Sequence, residues 1–232
     1  MSKTTLFIII SLLTCFQIRS QGKPDSLLVN FHLEFNKLPL ELNKKYISAN
    51  SDTLTVATFK CYLSNFEIEY EDHSVFAQKD SYHLLDFEQP NSFHFFITKA
   101  SDKLISRITF NIGIDSLTNT AGAMTGDLDP TKGMYWAWQS GYINTKIEGK
   151  CASCTTRKNN FQFHIGGYRQ PYYSMRKMQF TLNKKATAAV TIGIDLNTFF
   201  STVQLNENNN VMIPGAEAMK IANVTTKMFY IQ

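Results

Sequence analysis

Cysteine is scarce in this chain, with four in 232 residues, and so are proline, with six, histidine, with five, and tryptophan, with two. So few cysteines do not make a disulfide scaffold. The one CxxC, Cys151-Ala152-Ser153-Cys154, has no second CxxC to complete a structural zinc site. Charge is also sparse, at 18% of residues with a net +4 and no basic run, which excludes nucleic acid as a partner. After Phe16 no apolar run is long enough to cross a bilayer, so no transmembrane segment is expected. There is no nucleophile elbow for a serine hydrolase, no EF-hand spacing among the aspartates and no carboxylate pair that stands out for glycosidase work. The chain is therefore read as a binding protein, not an enzyme. It has no repeat, low-complexity linker or break in composition, and residues 21–232 are expected to form a single domain.

What is present begins with a leader. Lys3, the apolar run Leu6 to Phe16 and Ile18-Arg19-Ser20 form a signal peptide over residues 1–20. Cys15 raises a lipid-anchor reading, but Thr14 before it and Phe16 after it argue for export as a soluble periplasmic, secreted or cell-surface protein. In an oxidising compartment the spacing of Cys151 and Cys154 predicts a short-loop disulfide. Cys61, among alternating apolar neighbours, is expected to be a buried thiol.

Aromatic residues make up 13% of the chain, and with the β-branched residues they favour β structure. Alternation of apolar and polar residues predicts strands over 26–35, 54–70, 81–87, 93–97 and 104–113. Further strands are predicted over 142–149 and 160–166, flanking the cysteine loop. The segments 175–183 and 188–196 follow as a pair, and the interruption Leu63-Ser64-Asn65 reads as a bulge or a strand boundary. The best helix is 216–223, after Pro214-Gly215; residues 195–205 are ambiguous. Strands at this spacing with few helices predict an all-β fold, a β-sandwich with long loops and a short C-terminal helix.

The central feature is the stretch 113–163. A polar, glycine-bearing loop leads into Met134-Tyr135-Trp136-Ala137-Trp138, where both tryptophans of the chain stand two residues apart. In an extended segment that spacing puts both indoles on one face. A loop this long inside a domain usually has a task. Downstream, His164 in Phe161-Gln162-Phe163-His164-Ile165-Gly166-Gly167 faces away from Phe163, on the side of Gln162 and Gly166. Copper suits an exported, thiol-poor site of imidazoles with an aromatic wall. Calcium is the rival, through the loop carboxylates Asp115, Asp127 and Asp129, which serve equally as turn caps. With calcium goes an alternative function: a calcium-stabilised surface or carbohydrate-binding module in which Trp136, Trp138 and Tyr135 form a stacking platform.

The stretch Leu128-Asp129-Pro130 through Gly133-Met134-Tyr135-Trp136-Ala137-Trp138-Gln139-Ser140-Gly141-Tyr142-Ile143, together with Tyr82-His83-Leu84-Leu85-Asp86 and Phe161 to Gly167, resembles the MbnP-like family. These are exported copper-binding proteins associated with methanobactin operons, with relatives in bacteria that make no methanobactin. The resemblance implies copper binding outside the cytoplasm through histidines, in copper acquisition or handling. It also implies a tryptophan oxidised to kynurenine by a di-haem partner of the MauG/cytochrome c peroxidase type. His164 is the ligand it carries over, and Trp136 or Trp138 the modified residue. Relatives place a histidine two residues after the phenylalanine of the first strand. Here His32 follows Phe31 directly, an offset that turns the side chain to the other face. The second ligand is thus His32 or His83.

Overall fold

The structure, a computed structural model, describes residues 26–98, 103–139, 141–186 and 189–232. The expected signal peptide, with Cys15, lies outside the described residues. Two sheets pack face to face around one apolar core, as the alternation predicts. The smaller sheet is built on β1 (Ser26–Phe35). Its Leu27, Val29, Phe31, Leu33 and Phe35 point into the core, which leaves Asn30 and His32 on the outside.

The larger sheet is organised by the 18-residue strand β2 (Thr53–Tyr70). Along one edge of it runs β3 (Tyr82–Asp86), with Lys60 opposite Asp86 and Leu63 opposite His83. The bulge expected near Ser64 is present, with Asn65 at φ 54° and a register shift between Ser64 and Glu67. The strand β4 (His94–Thr98) then pairs with β1 in the smaller sheet.

The other edge of β2 is shared by two strands lying end to end. β5 (Ile105–Ile112) pairs with Leu63 to Tyr70, and β6 (Gly141–Cys151) with Leu54 to Cys61. Cys61 faces both Leu85 of β3 and Thr145 of β6, and Leu63 faces both His83 of β3 and Ile112 of β5. The chain therefore leaves the sheet at Gly113 and re-enters it beside the same point, after a long excursion. Gly113 has φ +107°, and a Cβ there would fall 2.3 Å from the Asn144 side chain. Only glycine fits that exit. The excursion contains a short helix that periodicity did not reveal, α1 (Ser116–Ala121), capped by Asp115.

β7 (Asn160–Gly166) pairs antiparallel with β6 across the cysteine turn. β8 (Arg176–Ala186) pairs with β5, whereas β9 (Ala189–Asp195) lies parallel to β1 in the smaller sheet. The expected pair 175–183 and 188–196 is thus divided between the two sheets. The segment 195–205 resolves as α2 (Leu196–Thr202), capped by the Asp195 side chain, and α3 (Ala216–Thr226) is the expected C-terminal helix. The final strand, β10 (Phe229–Ile231), pairs with β9. Among the described residues no helix is long and apolar enough to cross a membrane.

The disulfide expected between Cys151 and Cys154 is not formed; both are buried free thiols, as is Cys61. A backbone bond from Cys154 N to Cys151 O (3.1 Å) closes the turn, and the Cys151 sulfur lies 3.1 Å from the Ser153 hydroxyl instead. Burial raises the Cys154 thiol well above its ordinary value. Burial likewise pushes the Cys61 thiol up to about 12, opposed by the Thr145 hydroxyl.

Candidate metal centre on the outer face of the large sheet

Phe161, Phe163 and Ile165 of β7 point into the core between the sheets, so Gln162, His164 and Gly166 point to the outer face. The excursion 113–142 folds over that face. Ile114, Leu128, Met134, Trp136 and Tyr142 pack there on Tyr62, Leu84 and Ile143 of the sheet, forming a second apolar cluster. Side-chain bonds hold it down. Asn119 donates to the Ile114 and Asp115 carbonyls (3.0 and 2.9 Å) and accepts from Tyr142 N (2.8 Å). Asn144 accepts from Ile114 N (3.1 Å) and donates to Ser174 Oγ (3.0 Å). Two lysines from the sheet reach the strap above it, Lys60 to the Lys132 carbonyl (3.3 Å) and Lys146 to the Gly133 carbonyl (3.4 Å).

His164 sits in a polar row under this layer. Register places Asp86, Lys60, Lys146 and His164 side by side across four strands, with Glu148 and Gln162 in the next row. His164 is 7% exposed, and its Nε2 lies 2.6 Å from Glu148 Oε1. The hydrogen bond from His164 holds the Glu148 carboxyl down at about 2, against the opposing effect of burial and with a smaller contribution from the Lys146 charge. Lys60 makes the second ion pair of the row, with Asp86 at 2.8 Å. Glu148 was not singled out from the sequence. The signal for it was the alternation Lys146, Glu148 on the face of β6 that the excursion covers.

The tryptophans separate. Trp136 is 6% exposed, and its ring edge rests over Gly166, where a Cβ would lie 2.5 Å from Cζ3. Gly166 thus makes room for Trp136 two residues along the same face from His164. Trp138 is 64% exposed and tilted 53° from Trp136 at 6.1 Å. The expectation of a shared face fails because the extended pairing stops at Tyr135–Trp136 and residues 137–139 form a turn. The two rings stay neighbours, but only Trp138 is open to solvent.

The other histidines do not join His164. His32 is exposed on the outside of the smaller sheet, paired with Gly193 of β9. His83 points to the inner face of the large sheet, stacked on Phe95 (3.7 Å, 5°) and edge-on to Phe66. The three predicted ligands thus occupy three different faces of the sandwich, because each strand's pleat and sheet fix its direction independently. Among the described residues no group of three or more His, Cys, Asp or Glu side chains is placed to hold a metal ion.

The loop aspartates are also apart. Asp115 accepts from Thr118 N (2.9 Å) and from Tyr82 Oη (2.9 Å), and these bonds, with one from the Thr118 hydroxyl, lower its carboxyl although burial works the other way. Asp127 accepts from Leu84 N (3.1 Å) and pairs with Lys132 (2.6 Å), and Asp129 accepts from Thr131 N (2.8 Å). Each carboxylate has local partners of its own, as turn caps and edge anchors do.

His83 carries a consequence for stability. Its Nε2 is buried with no partner, and burial lowers its basicity, with Asp127 acting weakly the other way. The folded imidazole takes its proton at a lower pH than the unfolded one, which does so near pH 6.5. Stability contributed by the neutral ring is present above that pH and is lost as pH falls through it. Urea midpoints at pH 7.5 and 5.5 should show a smaller acid-side loss in His83→Leu than in the parent; equal losses would refute this.

A family model described as MbnP matches residues 24–213. The solved structure of MbnP from Methylosinus trichosporium superposes with a TM-score of 0.63 at 13% identity, covering 89% of this chain and 97% of that one. At that identity the likeness is one of fold. No curated protein matches the chain.

Proposed function

The chain belongs to the MbnP family, and from that premise we propose that it is an exported copper-binding protein that holds its cargo at His164. The observation that carries the reading is the pairing of a buried, carboxylate-fixed imidazole with an indole seated over Gly166 on the same face. Imidazole is a good copper ligand, and copper stands at the top of the affinity order among divalent first-row ions. His32 and His83 are on other faces, so this reading does not use them. With Glu148 engaged by His164, the imidazole is the one protein donor of this reading, which calls for further donors of another kind. Oxidation of Trp136 to kynurenine, implied by the family resemblance together with its di-haem partner, would add polar groups on the right face. The role assigned is binding, in copper acquisition or handling, and not catalysis.

The test is a competitive copper titration of protein co-expressed with its di-haem partner, with mass spectrometry of the peptide containing Trp136. His164→Ala should weaken binding by more than the roughly 10–100-fold that loss of a ligand's hydrogen-bond partner costs. His32→Ala and His83→Ala should bind as the parent does. Parental affinity in His164→Ala would end this reading.

A further inference from the structure

We propose that the cleft between the turn Arg157–Asn159 and the short strand Asn210–Val211 binds an acidic sugar, a polyhydroxylated ring carrying one carboxylate or phosphate. The inference stands apart from the copper reading and uses neither tryptophan.

The floor of the cleft is built on the large sheet. Gln162 N donates to the Asn209 carbonyl (2.8 Å), and β7 runs parallel to Asn210–Val211 with Gln162 opposite Asn210. Asn160 and Gln162 share the outer face of β7 with His164, nearer the cysteine turn. The wall is the turn that leads into β7. Asn159 Nδ2 donates to the Cys154 carbonyl (2.8 Å) and the Thr156 hydroxyl to the Asn160 carbonyl, so both ends of the turn are tied. Between floor and wall lies a cavity of about 530 Å³, lined beside Thr156 by Arg157, Lys158, Asn160, Gln162, Asn209 and Asn210. That volume is in the range of small-molecule sites.

The lining selects the chemistry of the ligand. Among the described residues no aspartate or glutamate lines the cleft. Arg157 and Lys158 are exposed and form no ion pair with a described residue, so their charge is uncompensated. Lys150, directly opposite Asn160, adds a third positive charge to this end of the sheet. The one described carboxylate bonded to a lining side chain is Glu148, which takes Gln162 Nε2 at 3.4 Å and is already engaged by His164. An anionic group is therefore attracted here, and the guanidinium can take two of its oxygens at once. A bare anion would leave the rest of the lining unused. Four carboxamides line the cavity, and each carries both donors and an acceptor. Asn160 and Asn210 spend neither on a described partner, and Gln162 gives only its nitrogen to Glu148. Donors and acceptors side by side on a strand-built floor suit neighbouring hydroxyls. With no apolar side chain in the lining, an apolar ligand has nothing to pack against.

Amide NMR of the isotope-labelled protein tests this, by titration with galacturonate and with galactose phosphorylated on its primary hydroxyl. At least one of the two should shift the amides of residues 156–162 and 209–210, and which one does so identifies the acid group. Galactose, which has the hydroxyls alone, should bind at least about tenfold more weakly, and so should acetate and inorganic phosphate, which have the charge alone. Arg157→Ala and Lys158→Ala should each weaken the acidic sugar by about tenfold. Their Tm and amide dispersion should stay parental, because both side chains are exposed. Arg157→Lys should recover part of the loss, since it keeps the charge without the fork. Asn210→Asp, which puts a carboxylate into the floor, should abolish binding. No shift with either acidic sugar, shifts confined to other residues, or equal affinity for galactose or for the bare anions would each overturn the proposal.

Discussion

Asn119→Ala should destabilise the protein by about 3 kcal/mol and loosen the whole excursion over the large sheet. Asn119 is 2% exposed and uses every part of its amide. Its nitrogen donates to the carbonyls of Ile114 and Asp115 just after the chain leaves the sheet, and its oxygen accepts from Tyr142 N just where the chain returns. One side chain therefore ties the two ends of the excursion together. Alanine removes all three bonds and leaves the Tyr142 N–H and the Ile114 carbonyl without partners in a buried place. Each stranded polar group costs roughly 1–3 kcal/mol, more than the bond itself contributes. Urea denaturation measures the loss, and hydrogen exchange at the Tyr142 amide locates it. Asn119→Asp keeps the acceptor and loses the donors, so it should retain the Tyr142 protection that alanine loses. A change below about 1 kcal/mol in Asn119→Ala would mean that the apolar cluster alone holds the layer.

The faces of single strands were legible in the sequence, and relations between strands were not. Alternation placed Phe161, Phe163 and Ile165 inside, and His164 outside with Gln162 and Gly166, because the pleat has a period of two and one face of β7 is fully apolar. The same reasoning placed His32 opposite Phe31 and located the bulge near Asn65. It did not show that His32 and His164 belong to different sheets, nor that His83 points inward, since sheet membership is decided by pairings far along the chain. For the same reason β8 and β9, adjacent in sequence, were read as partners although one joins β5 and the other joins β1. Helix α1 was missed because Ser116-Leu117-Thr118-Asn119-Thr120-Ala121 has no apolar face; Asp115 and the side chain of Asn119 hold it. The tryptophan pair misled because an i, i+2 spacing implies a shared face only while the backbone stays extended, and it turns after Trp136.

Gly166→Ala should unseat Trp136 and with it the proposed copper site, although His164 and Glu148 are untouched. The added methyl would lie 2.5 Å from Trp136 Cζ3 and 2.6 Å from the Tyr142 carbonyl oxygen, both far inside contact distance. The indole can move. The carbonyl cannot move easily, because it belongs to the strand paired with Gly166, with Ile143 directly opposite. Forcing a methyl into a packed layer costs typically 1–3 kcal/mol, and a backbone clash puts this case at the upper end, about 3 kcal/mol. Part of that strain should be relieved by displacing Trp136 into water, which reads as a red shift of its fluorescence; Trp138→Phe as background leaves a single reporter. Pairing Gly166→Ala with Trp136→Leu separates the two clashes. If the indole were the whole obstacle, the double variant would be no less stable than Trp136→Leu alone. With the Tyr142 carbonyl also in the way, the glycine change should still cost more than about 1 kcal/mol in that background, a non-additive but incomplete rescue. Copper affinity should fall in both single variants, since each removes the wall beside His164 by a different route. Unchanged fluorescence and copper affinity in Gly166→Ala would show that Trp136 neither depends on that glycine for its seat nor belongs to the site.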